Sequence, residues 1–110
     1  MSFRISASPT FDKELKHLAK KYPSIKSDLI DFSKSLRENP FQGDKLGRDC
    51  YKVRMKITSK GKGKSGGSRV ITCVKVVNEQ IKLLTIYDKS ERETISDSFL
   101  TQLLSESGLS

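Results

Sequence analysis

Nine lysines and arginines crowd into residues 45–69: Lys45, Arg48, Lys52, Arg54, Lys56, Lys60, Lys62, Lys64 and Arg69, against one acid, Asp49. The segment's net charge of +8 equals that of the whole 110-residue chain, so the remaining residues balance. Evenly spread charge would only keep a protein soluble, whereas cations gathered on one stretch of a neutral scaffold create a local field for a polyanion. The polyanion suggested is nucleic acid. Such a cluster can also do chemistry. Neighbouring ammonium groups lower one another's proton affinity, which would make one of Lys60, Lys62 and Lys64 available as a base or acid near neutral pH. Arg69 stays charged and can grip two oxygens of a phosphate. Gly66, Gly67 and Ser68 immediately before it let backbone and ligand approach closely.

Other chemistries are set aside. His17 is the only histidine, and it sits among polar residues in the helix-like DKELKHLAKK, so it reads as a solvated helix face. Cys50 and Cys73 form no close ligand pair, and neither a metal nor any other cofactor is expected. Gly61, Gly63 and Gly66 match the spacing of a dinucleotide-binding loop but lie between two strands, where that loop would have to open a helix. Gly63-Lys64-Ser65 is like the end of a phosphate-binding loop, yet Thr58 stands where the first glycine is needed. The two cysteines fall in apolar strand-like runs with no secretory segment before them, which suggests a reduced, cytoplasmic protein. Apolar runs are only a few residues long, far short of the roughly 20 needed to cross a bilayer, so no membrane is expected.

The elements that must position the cations follow from periodicity. FRISAS alternates, with Phe3, Ile5 and Ala7 on one side, and reads as a first strand. Ser8-Pro9 starts a helix striped by Phe11, Leu15, Leu18, Ala19 and Tyr22. After Pro23-Ser24 a second helix is striped by Ile25, Leu29, Phe32 and Leu36, and Asn39-Pro40 ends it. A connecting loop runs to Gly47. From Cys50 to Ile57 the period becomes two, with Tyr51, Val53, Met55 and Ile57 on one face and Lys52, Arg54 and Lys56 on the other. The Gly/Ser/Lys-rich residues 59–68 read as a mobile loop, followed by strands over Arg69–Val77 and Gln80–Tyr87. Ser90 and Glu93 fit a capping box opening a last helix with Ile95, Phe99, Leu103 and Leu104. The expected fold is α+β, one domain over 1–110, in the order β-α-α-β-β-β-α. A helical hairpin packs on one face of a small, mostly antiparallel sheet and leaves the other face to Lys52, Arg54 and Lys56.

The stretch KVRMKITSKGKGKSGGSRVITCV followed by IKLLTIYDKSE resembles the RelE/ParE toxin superfamily of type II toxin–antitoxin systems, and within it the HigB-like branch. The resemblance is specific over residues 45–92 and looser over the helical hairpin. It implies a toxin that cuts messenger RNA in the small-subunit decoding site of the ribosome when its antitoxin is absent. The implied reaction is metal-independent: the ribose 2′-OH attacks the adjacent phosphate and expels the 5′-oxygen. Carried onto this chain, the resemblance places Lys60, Lys62 and Lys64 at the RNA backbone, one of them in proton transfer. Arg69 would stabilise the transition-state phosphate, and Tyr87 would stack on a base or donate a proton. Lys89 would approach the same groove, Glu91 would be an acid or base, and Lys52, Arg54 and Lys56 would bind RNA. Tyr87 reads equally as a core aromatic, Glu91 as a charge at a helix start, and Lys89 as an exposed turn residue. The implied partners are a cognate antitoxin, the ribosome and messenger RNA. A gyrase inhibitor of the ParE kind and a non-catalytic RNA-binding module are the alternatives.

Overall fold

The computed structural model describes residues 2–61, 63, 65–92 and 94–109. β1 (Arg4–Ala7) leads into α1 (Pro9–Lys21) and α2 (Ile25–Glu38). Then come β2 (Asp44–Gly47), β3 (Cys50–Met55), a 3-10 turn over Thr58–Lys60, β4 (Ser68–Lys75), β5 (Gln80–Asp88) and α3 (Asp97–Glu106). The sheet order is β1-β5-β4-β3-β2, with β1 parallel to β5 and every other pair antiparallel. The expected α+β architecture stands, and the last three long strands form the expected meander. The segment read as a connecting loop carries one further short strand, β2, against β3.

Ser8 caps α1 by accepting the Phe11 N–H, and Pro9 occupies the first turn, as the sequence suggests. Phe11, Leu18, Ile25, Phe32 and Leu36 of the hairpin meet Phe3, Val53, Met55, Ile57, Val70, Val74, Ile81, Leu83 and Ile86 in one core. α3 lies against the opposite face, so the two faces are divided between helices. Leu100, Leu103 and Leu104 cover Cys50, Ile71, Cys73, Leu84 and Tyr87 in a second core. Cys50 and Cys73 are free thiols facing each other in register, both buried. Arg48 ties α3 to the β2–β3 turn through Asp97 and Thr101, each at 2.7 Å.

α3 starts later than the sequence suggests. Ser96, not Ser90, is its cap, accepting the Phe99 N–H at 3.1 Å. The capping box fails because Ser90 has a stronger local alternative, with both its N–H and its hydroxyl donating to Asp88. Glu93, the other half of that box, lies outside the described residues.

One irregularity sets the face of β5. Ile71 pairs with Thr85 and Thr72 with Leu83, leaving Leu84 unpaired in a bulge. A strict period of two would carry Tyr87 to the same side as Ile81 and Leu83. The bulge resets the alternation, so Ile86 joins the hairpin core and Tyr87 joins the α3 side.

Candidate nucleic-acid interface

Register brings the strongest sequence candidates into one row. Arg54 pairs with Arg69 across β3 and β4, and Arg69 pairs with Tyr87 across β4 and β5. Directly opposed residues project on the same face, so the three side chains stand side by side on the face that α3 partly covers. Arg54 is exposed, whereas Arg69 and Tyr87 are only 7% and 6% exposed. The Arg69 guanidinium is braced by main-chain carbonyls, Nη1 donating to Ser68 at 3.1 Å and Nη2 to Ser65 at 3.2 Å. Both bonds fix its plane.

The Tyr87 hydroxyl is buried and has no hydrogen-bond partner among the described residues. Burial raises its pKa, while the charges of Arg69 and Arg92 pull the other way. The phenol therefore holds its proton at neutral pH and suits donation, not abstraction. Arg92 lies over the Tyr87 ring at 5.7 Å and over the Phe99 ring at 5.1 Å, bridging β5 to α3.

Two clefts adjoin this row. One, of about 660 Å³, is lined by Lys60, Ser65, Gly66, Lys89, Ser90, Glu91 and Arg92. Ser65, whose carbonyl braces Arg69, stands in its wall. The other, of about 570 Å³, lies between α1 and α3, with Tyr87 in its lining, and shares Glu91 and Arg92 with the first. Among the described residues the Lys89 side chain has no hydrogen bond or ion pair. Glu91 meets Lys21 at 3.5 Å, with both side chains largely exposed. It lies in the turn after β5, well before α3, so it does not serve a helix start.

Lys60 departs from the mobile-loop reading. It sits at the end of the 3-10 turn and donates to the fully buried Asp88 carboxylate at 2.6 Å. Asp88 also accepts from Tyr22 Oη at 2.6 Å and from Ser90. Burial would raise the Asp88 pKa, but these donors outweigh it and hold the carboxyl well below the usual range. The start of the turn is held the same way. Asp28 accepts from the Thr58 N–H and hydroxyl and from the Ser24 hydroxyl, which overcome the effect of burial and lower its pKa. Two buried carboxylates thus clamp the root of the lysine-rich segment. The Lys60 ammonium is committed to an internal carboxylate and so serves the cleft as a fixed electrostatic element. Lys62 and Lys64 lie outside the described residues.

Lys52 and Lys56 are not brought to either cleft. Lys52 and Arg54 line one depression beside the start of β2, and Arg54 and Lys56 line another against α2. Gly67 has a role the sequence reading assigned to ligand approach. A Cβ there would lie 2.5 Å from the Met55 carbonyl oxygen, so the glycine lets β4 begin hard against the end of β3. Sequence reasoning missed Asp28 and Asp88, Arg92 and the cleft-facing side of α1. An acid in the first turn of α2 and an acid ending an apolar strand were the available signals. Among the described residues no group of His, Cys, Asp and Glu could hold a metal, and no helix is long and apolar enough to cross a membrane.

This geometry defines a small α+β protein with a cationic, phenol-bearing row on a five-stranded sheet. The same fold is found in a solved structure of the E. coli toxin RelE, free and with two arginines replaced by alanine. The match has a TM-score of 0.61 at 16% identity and covers 96% of this chain and 94% of that one. No family model matches the sequence. The fold is RelE-like, and the likeness is one of structure.

Proposed function

We propose that this protein is the toxin of a type II toxin–antitoxin pair, of RelE type and of the HigB-like branch, acting in the cytoplasm as a ribosome-dependent messenger RNA endonuclease. The row Arg54–Arg69–Tyr87, set beside the cleft of Lys60, Lys89 and Glu91 on a RelE-like fold, is the observation that carries the reading. The reaction is transesterification. The 2′-oxygen forms a bond to phosphorus, the bond from phosphorus to the 5′-oxygen breaks, and the products end in a 2′,3′-cyclic phosphate and a 5′-hydroxyl.

Arg69, fixed by two carbonyls, is suited to the charge that builds on the phosphorane oxygens, a preorganised interaction worth about 10²–10³ in rate. Tyr87, which keeps its proton, fits protonation of the leaving 5′-oxygen. Glu91 and Lys89 are the groups in the cleft able to take the 2′-OH proton. Lys60 contributes charge, with Lys62 and Lys64 following it in sequence. Arg54, Lys52 and Lys56 bind RNA or ribosome outside the reacting centre. A cognate antitoxin is the remaining partner, silencing this surface.

The test is a translation extract primed with a defined messenger RNA, with cleavage mapped by primer extension beside ribosome-free RNA. Cuts confined to translated message and lost with Arg69→Ala support the proposal. Absence of cuts in both settings refutes it, and gyrase supercoiling then becomes the assay.

A further inference from the structure

The cleft between α1 and α3 has the reacting groups Tyr87 and Glu91, with Arg92, in its near wall and extends past them to a face of α1 that the chemistry just described does not use. Its volume of about 570 Å³ falls in the range of ligand-binding clefts, roughly 300–1,000 Å³. The far wall is one face of α1: Thr10, Lys13, Glu14 and His17 recur at helical spacing. It runs beside β5 because β1 ends at Ala7, paired with Leu83, and leaves the last residues of β5 without a strand on that side. The Glu14 carboxylate takes that place, accepting from the Thr85 hydroxyl and from the Ile86 N–H at 3.2 Å.

The acids of this cleft are committed to the protein and the bases are not. Glu14 is bonded to β5, Asp88 to Lys60, Tyr22 and Ser90, and Glu91 faces Lys21. Among the described residues, Lys13 and His17 have no hydrogen bond or ion pair. Arg92 lies over the Tyr87 and Phe99 rings, and among the described residues its side chain has no hydrogen bond or ion pair, which leaves its N–H groups for a ligand. A guanidinium held over two rings, with an ammonium and an imidazole across a cleft, matches a phosphodiester with an adjoining base.

We propose that this cleft is a second RNA subsite, taking the nucleotide next beyond the two that share the scissile phosphate. Arg92, at the junction of the two clefts, holds the connecting phosphate, and Lys13 and His17 contact the flanking nucleotide. The inference rests on the RNA-cleaving reading and extends it to substrate length, since a dinucleotide fills the reacting centre and a longer strand also reaches α1.

The test is a two-dimensional NMR titration of the isotope-labelled full chain with 2′-O-methyl RNA, which binds without reacting, as a dinucleotide and as a hexanucleotide. Both are expected to shift residues around Lys60 and Lys89, and only the hexanucleotide to shift Thr10, Lys13 and His17. The hexanucleotide should bind the more tightly. Lys13→Ala with His17→Ala, both exposed and safe for folding, should weaken it about tenfold and erase its advantage. Hexanucleotide shifts confined to the Lys60–Lys89 side, or an advantage that survives the double substitution, would overturn the subsite alone. No shift with either oligonucleotide would overturn the subsite together with RNA binding at this surface.

Discussion

The cations of this surface fall into two groups of equal number and unequal construction. Along β3 and just past its end, Lys52, Arg54 and Lys56 alternate, and no described ion pair fixes them. In the other group Lys60 is locked to a buried carboxylate, Arg69 to two carbonyls and Arg92 to two aromatic rings. Cations that are free to move supply attraction, and cations held in one place supply geometry. Only the second kind can favour a transition state over a ground state. The cations thus divide into a recruiting strand and a braced group at the reacting centre.

The sharpest way to break that division is to exchange the effects of its two arginines. Arg69→Ala should lower cleavage by about 10²–10³-fold, and Arg54→Ala, its direct neighbour in register, by no more than about tenfold, both read by primer extension on translated message. Equal losses would mean that the braced and unbraced positions act alike. Tyr87→Phe should follow, costing roughly 10²-fold if the phenol donates the leaving-group proton. Because Oη has no partner among the described residues, urea denaturation should show no loss of stability.

Next comes the clamp. Asp88→Asn removes the anion beneath Lys60 and should cost about 3 kcal/mol, read as a lower urea midpoint. Asp28→Asn, whose partners are neutral hydroxyls and an N–H, should cost about 1–2 kcal/mol. Their pH signature has a definite sign. Both folded carboxyls lie below their ordinary value, 3.8, so their stabilisation is complete above that pH and is lost as the pH falls through the depressed values. Glu14 has the opposite sign. Burial raises it in the folded protein, more than its bonds to Thr85 and Ile86 lower it. Its contribution is complete below its unfolded value and fades as the pH rises through the folded one. Asp88→Asn should flatten the acid limb of a stability–pH curve, and Glu14→Gln should leave that limb in place.

The smallest effect belongs to the recruiting strand. Lys52→Ala should leave stability within about 0.5 kcal/mol and reduce the salt slope of RNA binding by about one. A larger change would place Lys52 among the fixed cations.

Much of this fold was legible because its signals are local. The stripes of α1 and α2, the Ser8-Pro9 start and the alternation of β3 each depend on neighbours within a turn or a pleat. The boundary of α3 was misread for a related reason. Ser90 and Glu93 have the spacing of a cap, but Asp88 is closer and wins the Ser90 donors. His17 looked like a solvated face and is indeed exposed, yet that face lines a cleft whose other walls come from β5 and α3, some 70 to 80 positions further along the chain.

Residue types and their spacing determined the helices, the strands, the concentration of charge and the presence of an arginine fit for phosphate. Only the tertiary structure decided which cations are held and by what. A bulge at Leu84 turned Tyr87 toward Arg69, strand register set Arg54 beside Arg69, and two buried carboxylates, from α2 and β5, closed on the turn before the lysine loop. Periodicity reports the direction of a side chain relative to its own backbone. Which partner waits in that direction depends on chain segments that packing alone brings together.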